Sequence, residues 1–171
     1  MKTVVATIGV VVLCAAPAFA QGGGDDGRSN WSVSAGMGFT ADPETFLMNF
    51  EAEYHVTENV SIGPVLQIGA ADLSIIAPYA NARFRFPAFS KDDDFLGKLR
   101  LSVQAGLGLA YYSAPGAGST GMLLNFGGGL EYALNDGLSL HSRMLFNVLP
   151  VDAFGDNFYY SWEIIGARYR F

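Results

Sequence analysis

The sequence predicts an all-β fold, an eight-stranded antiparallel up-and-down transmembrane β-barrel. Apolar and polar residues alternate with a period of two in eight successive segments, which is typical of strands with two different faces. Half of the residues are hydrophobic, yet no stretch after Ala20 has eighteen consecutive apolar residues, so no membrane helix is expected there. Strands with one apolar face account for both observations.

The first twenty residues have the pattern of a cleaved secretory signal peptide. Lys2 supplies a positive start, residues 4–16 are almost continuously apolar, and Ala18 and Ala20 give a small-x-small cleavage site. Cleavage would remove Cys14, the single cysteine, so disulfides and cysteine-bound metals are excluded; Leu13 argues against a lipoprotein. Residues 21–29, rich in glycine and charge, predict a flexible periplasmic tail, and residues 30–171 the barrel.

Eight strands are predicted, and turn-forming residues separate them. Their ranges are 30–40, 46–56, 60–70, 75–86, 98–111, 121–133, 138–148 and 158–171. Pro64 and Pro78 fall inside the third and fourth strands, where each removes a ladder hydrogen bond. They predict bulges in that hairpin, or strand boundaries a few residues away.

The first four predicted strands each have one polar or small face. In order along the chain, these faces carry Ser32, Ser34, Gly36 and Gly38; Asn49, Glu51, Glu53 and His55; Gly63 and Gly69; and Asn81, Arg83 and Arg85. The opposite faces are apolar, with residues such as Phe50 and Tyr54 in the second strand. This alternation indicates strands that contact two different environments.

The last four predicted strands repeat the pattern. Their polar or small faces carry Lys98, Arg100, Ser102 and Gln104; Asn125, Gly127, Gly129 and Glu131; Ser139, His141, Arg143 and Asn147; and Arg168 and Arg170. In the eighth strand, Tyr169 and Phe171 share the other face. By the same parity, Glu163 is expected to face outward unless a bulge intervenes.

Alternation alone does not say which face lines the interior, and a soluble calycin-like barrel would show the opposite sense. The polar face carries charges of both signs and many Gly and Ser residues, as a narrow eight-stranded interior requires. Aromatic residues near strand ends, among them Tyr112 and Tyr159, suggest two interfacial girdles. The polar face is therefore predicted to line the lumen, with a charge network of Glu51, Glu53, Arg83, Arg85, Arg100, Glu131, His141 and Arg143.

The last residues resemble the C-terminal β-signal read by the barrel-assembly machinery of Gram-negative bacteria. The match rests on Gly166, Tyr169 and Phe171, with Ile164 at the position that is usually polar. Over residues 29–171, pattern and length resemble the OmpA/OmpX-like superfamily of small eight-stranded outer-membrane barrels. The resemblance implies a monomer in the bacterial outer membrane, in contact with lipid and lipopolysaccharide, whose chain ends both lie on the periplasmic side.

The sequence favours no catalytic, cofactor or metal site. His141 and Ser142 are adjacent and therefore point to opposite faces of a strand, which disfavours a nucleophile–base pair. Asp92-Asp93-Asp94 lacks the glycine and spaced ligands of a calcium loop and reads as a solvated turn. A formal net charge of −6 argues against nucleic acid as a partner.

The predicted function is a non-enzymatic membrane-structural or surface-interaction role, although short external loops argue against adhesion. The lumen charges admit two interpretations: a plug of structural salt bridges, or a narrow gated pore whose ion pairs exchange partners. Pro64 and Pro78 also suggest a conduit for small hydrophobic molecules that opens sideways to lipid. An outer-membrane lipid-modifying enzyme is the remaining alternative.

Overall fold

The computed structural model describes residues 29–41, 44–70, 74–90, 94–114, 117–153 and 156–171. The predicted signal peptide, the tail up to residue 28, Asp92 and Asp93 lie outside the described residues. Within the described ranges, no helix is long and apolar enough to cross a membrane.

Eight antiparallel strands close into a barrel, which confirms the predicted fold. They are β1 (Trp31–Ala41), β2 (Thr45–His55), β3 (Val60–Ala70), β4 (Ser74–Arg85), β5 (Leu99–Ala114), β6 (Ala117–Ala133), β7 (Leu138–Ala153) and β8 (Asp156–Arg170). Each strand pairs with the next, and β1 pairs with β8. The β5–β6 and β7–β8 hairpins extend beyond their predicted ends because pairing continues to Ala114↔Ala117 and Ala153↔Asp156.

The apolar face of the strands is on the outside of the barrel. Leu107 and Phe126 keep 54% and 52% of their surface exposed, whereas Glu51 is only 2% exposed. This sense excludes the soluble calycin-like alternative. Tyr112 and Tyr159, however, are buried in the lumen, so their assignment to an outer girdle was wrong. The longer strands keep them inside the barrel wall, where the period of two turns them inward.

Pro64 and Pro78 do not produce the predicted bulges. The β3–β4 register runs without a shift from Val60↔Phe84 to Gly69↔Ile75. Pairing lapses instead on the other side of each proline, towards β2 and towards β5, and resumes in the same register. A missing proline N–H removes a hydrogen bond without adding a residue, which explains a local gap rather than a bulge.

A bulge does occur in β8, where the sequence has two consecutive isoleucines. The register shifts beside Met37 and Gly38 of β1 and beside His141 and Arg143 of β7, which leaves Ile164 unpaired. Ile164 and Ile165 are both exposed on the outer face, and Glu163 is buried inside. The bulge thus reverses the parity from which an outward Glu163 was expected.

Candidate functional site

The half of the lumen nearest the chain ends contains a connected group of buried charges, here called the lumen charge cluster. Its members are Glu51, Glu53, Arg83, Arg85, Glu131, His141, Arg143, Glu163 and Arg168. Arg83 on β4 is central, because its Nη2 lies 2.9 Å from Glu51 Oε1 and its Nη1 lies 2.6 Å from Glu53 Oε1. Its Nε also donates to Gln104 Oε1 at 3.0 Å. One guanidinium thereby links β4 to its neighbour β5 and, across β3, to β2.

Arg143 on β7 extends the cluster across the barrel. Its Nη1 lies 2.7 Å from Glu51 Oε2, and its Nη2 lies 2.9 Å from Glu163 Oε1. Asn49 donates to Glu163 Oε2 at 2.6 Å, and His141 Nε2 lies 2.6 Å from Glu163 Oε1. The Glu163 carboxylate is therefore held from β2 and β7 at once.

Two glycines make room for the Glu163 carboxylate. A Cβ atom built on Gly36 or on Gly166 would collide with that carboxylate, and one on Gly166 would also collide with His141. The bulge turns Glu163 inward, and the bare backbone on both sides of it provides the space. This explains the inward glycines as part of the charge cluster.

The cluster also reaches the mouth of the lumen beside the chain ends. Arg85 Nη2 lies 2.5 Å from Glu53 Oε2, and Arg85 Nε lies 3.1 Å from Glu131 Oε2. Arg168 contacts the same two carboxylates, and Ser139 donates to Glu131 at 2.8 Å. Each of the four glutamates contacts at least two basic side chains, so four carboxylates and four guanidiniums balance. Such pairing offsets the cost of removing charges from water.

Seven of the eight predicted network residues lie in the lumen charge cluster, and Arg100 does not. Arg100 is opposite Glu131 in the β5–β6 register, but it is exposed at the mouth. The Glu131 oxygens contact Arg85, Arg168 and Ser139 instead, so Arg100 has to be removed from the predicted set. Glu163 and Arg168 have to be added. The alternation of faces in β8 already predicts an inward Arg168, whereas the inward position of Glu163 follows only from the bulge.

The other half of the lumen is filled by apolar side chains, here called the upper apolar cluster. Its members are Val65, Ile75, Ala77, Tyr79, Ala110, Tyr112, Leu123, Leu149 and Tyr159. The rings of Tyr112 and Tyr159 meet edge to face with centroids 6.3 Å apart, and the Tyr159 hydroxyl donates to Gln67 Oε1 at 3.2 Å. The sequence pattern did not predict this layer, because the inward faces of the predicted strands are mostly polar or small.

Buried carboxamides separate the two layers, one from each of the strands β2 to β7. They are Asn49, Gln67, Asn81, Gln104, Asn125 and Asn147. Within the described chain, each has at least one side-chain polar atom without a hydrogen-bond partner. Buried amides usually satisfy such atoms with ordered water. This level of the lumen is therefore where we expect internal water.

Ser32 and His55 form a serine–histidine contact that the sequence did not indicate. The Ser32 Oγ lies 2.9 Å from His55 Nε2, because β1–β2 pairing brings Ser32 beside Glu53, two residues before His55. The other ring nitrogen, Nδ1, has no partner among the described residues, so no carboxylate orients the ring as in a catalytic triad. The contact thus lacks the third member of such a triad.

The other catalytic candidate is the pair His141 and Ser142, whose side chains lie on opposite faces of the barrel wall. His141 is buried in the lumen, while the Ser142 hydroxyl donates to the Glu163 carbonyl at 3.1 Å and accepts a hydrogen bond from Trp162 Nε1. No group of three or more metal-ligating side chains occurs in the described ranges.

The three predicted assembly-signal residues lie on β8 and just after it. Gly166 packs against His141, and Tyr169 is exposed on the outer face. The rings of Tyr169 and Phe171 meet edge to face, 5.4 Å apart. The Phe171 N–H donates to the Trp31 carbonyl at 3.2 Å, so the last residue is hydrogen-bonded to the start of β1.

Comparisons with known proteins show the fold without assigning a function. No protein-family profile and no curated protein matches the sequence significantly. Neisserial surface protein A is similar in structure, with a TM-score of 0.64, 17% identity and coverage of 85% of this chain and 99% of that chain. The attachment invasion locus protein Ail of Yersinia pestis has a TM-score of 0.53 and 16% identity, with coverage of 82% of this chain and 97% of that chain. The outer-membrane enzyme PagL has a TM-score of 0.51 and 14% identity, with coverage of 82% of this chain and 99% of that chain.

These similarities show that the chain has the fold of the small eight-stranded outer-membrane barrels. A surface protein, an attachment protein and an enzyme share this fold. Function must therefore be argued from the side chains inside and outside the barrel wall.

Proposed function

We propose, from the fold shared with small outer-membrane barrels, that this chain is a non-enzymatic integral protein of the bacterial outer membrane with a membrane-structural role. Its lumen conducts no solute larger than water or a small ion. The observation that carries this proposal is the filling of the lumen by two unlike layers, the lumen charge cluster and the upper apolar cluster.

The outer wall supports residence in a membrane. Large apolar side chains such as Met37, Leu107, Phe126 and Ile165 are about half exposed, which is costly in water and favourable in lipid. Aromatic side chains near the strand ends, such as Tyr54, fit the interfacial zones. The outer-membrane machinery, lipid and lipopolysaccharide implied by the sequence resemblance belong to this proposal.

The lumen charge cluster supports a plug over a gated pore. Glu53 contacts Arg83, Arg85 and Arg168, so a partner exchange would break several buried contacts together. Leaving one such charge unpaired costs about 3–5 kcal/mol in a buried site. The upper apolar cluster would still block the path, because apart from the hydroxyls of its three tyrosines it offers no polar replacement for the hydration shell of an ion.

The wall beside Pro64 and Pro78 argues against a sideways conduit. An apolar depression of about 1080 Å³ lies there, and although pairing lapses beside the prolines towards β2 and β5, the β3–β4 register beneath it is continuous and the flanking registers resume unchanged. Ala80, Ala82 and Ala105 line it, so small outward side chains account for the missing volume. The depression is consistent with a dent in the lipid-facing surface.

Planar-bilayer recording tests the closed lumen. We expect the purified protein to show no large, steady conductance, because two layers in series block the path. The variant Y112A/Y159A thins the upper apolar cluster but leaves the charge cluster in place, so it should remain closed as well. A large, steady conductance from the unmodified protein would contradict the proposal, and one from the variant alone would show that the charge cluster does not seal.

A surface-interaction role is the second candidate, and one observation favours it. Strands β5, β6 and β7 have 16, 17 and 16 residues, whereas β1, β2 and β3 have 11 each, so one side of the barrel is taller. An attachment protein has the same fold. Exchanging the external loops and hairpin tips near residues 112–120 and 149–157 tests this role; unchanged cell attachment would remove it.

A further inference from the structure

The mouth of the lumen beside the chain ends contains a cavity that the closed-barrel proposal does not use. Its volume is about 310 Å³, and it lies between the β5 start and the β6–β7 turn. Lys98, Arg100 and Arg170 line it, with Arg85, Arg168 and Glu131 of the lumen charge cluster as its floor. The cavity is large enough for a small hydrated anion and open to solvent.

The charges around this cavity are unbalanced. Five Lys or Arg side chains line it, against the three carboxylates of Glu58, Glu131 and Asp136, although the whole chain has a formal net charge of −6. The floor itself is neutral, because Arg85 and Arg168 both contact Glu131 and also Glu53, which lies beneath the cavity. The remaining excess of one positive charge therefore comes from the residues nearest solvent.

Three cations of the cavity, Lys98, Arg100 and Arg170, have no carboxylate partner in the described chain; Arg170 donates to the Ser29 carbonyl, which leaves Lys98 and Arg100. Neither has an ion-pair contact with any residue of the described chain, and both are exposed at the mouth. Arg100 lies opposite Glu131 in the register, the position at which a structural ion pair would form, yet Glu131 is engaged elsewhere. A guanidinium and an ammonium converging on one cavity are the donors that a phosphate group requires.

We propose that this mouth cavity binds a phosphate group through Lys98 and Arg100, either of a free small molecule or of a lipid headgroup. The guanidinium of Arg100 supplies paired N–H donors, and Lys98 supplies a point charge. The floor guanidiniums of Arg85 and Arg168 stay in place because Glu53 and Glu131 hold them. The site does not depend on whether the lumen conducts.

Titration with inorganic phosphate tests the site, with the protein in an uncharged glycoside detergent and ionic strength held constant with chloride. We expect saturable binding of one phosphate per barrel. Arg100→Gln should weaken binding about tenfold or more, as for the loss of a charge-assisted hydrogen bond. Lys98→Gln should also weaken it. Glu58→Gln, the matched control in the same cavity, removes a negative charge and should strengthen binding.

Two further arms identify the source of the phosphate and guard against misfolding. In nanodiscs at an ionic strength high enough to screen the surface charge of the lipid, weaker phosphate binding with phosphatidylglycerol than with phosphatidylcholine supports a headgroup as occupant; equal binding supports a free phosphate. Each variant is first shown to migrate as a folded barrel in unboiled gel samples. Equal phosphate affinity of the unmodified protein and the variant K98Q/R100Q, or binding that never saturates, would overturn the proposal.

Discussion

Replacing Arg83 with methionine is expected to lower the free energy of unfolding by about 3–5 kcal/mol. The Arg83 side chain is 1% exposed and contacts both Glu51 and Glu53, so its loss leaves two buried carboxylates short of a partner. Methionine keeps much of the volume, which separates the effect of charge from that of a cavity. Urea unfolding of the barrel in lipid vesicles measures the change.

Arg100→Met is the matched control for this prediction. It removes the same chemical group from the same barrel, but Arg100 is exposed and lies outside the lumen charge cluster. Its expected cost is within about 0.5 kcal/mol, as for ordinary surface positions. Adding Glu51→Gln to Arg83→Met should recover part of the loss, because it removes one unpaired charge. Equal costs for the two single variants would mean that the cluster does not stabilise the fold.

Placing an arginine at Leu107 is expected to destabilise the barrel in a bilayer by about 2–4 kcal/mol. Leu107 is 54% exposed near the middle of β5, on the outer wall, where a guanidinium would meet hydrocarbon instead of water. The same vesicle-based unfolding measurement provides the value. Tyr169→Arg serves as the control, since Tyr169 lies near the end of β8.

The control should cost only about 0–1 kcal/mol, because an interfacial arginine reaches the headgroups. A depth dependence of this kind distinguishes lipid from water around the barrel. If Leu107→Arg and Tyr169→Arg are equally well tolerated, the outer wall does not face hydrocarbon at Leu107. That result would contradict the membrane placement of the strands.

Strand number and the division of residues between two faces could be read from the sequence because the period of two is local, and the inside–outside sense followed from the mixed charges and small residues of one face. The face on which a residue lies can be inferred from its immediate neighbours in the sequence, as for Glu51 and Glu53 in β2. The lumen charges followed from the same periodicity. A single unpaired residue reverses the alternation of faces. The sequence does not indicate which of the two isoleucines before Gly166 is the unpaired one.

Contacts across the lumen could not be predicted, because they depend on where each strand sits along the barrel axis. Arg100 and Glu131 are register partners, and only the positions of Arg85 and Arg168 show that Glu131 is engaged elsewhere. Likewise, the closeness of Tyr112 and Tyr159 to the predicted strand ends suggests an outer girdle, which is wrong. Their inward packing depends on hairpins that extend further than the turn residues suggested.

Heat-modifiability combined with membrane fractionation tests the central claim most directly. An apolar-walled barrel packed with paired charges should resist detergent at room temperature and unfold only on boiling. We predict that the unboiled protein migrates differently from the boiled protein and is found in the outer-membrane fraction. Identical migration before and after boiling, with the protein in the soluble fraction, would contradict the account.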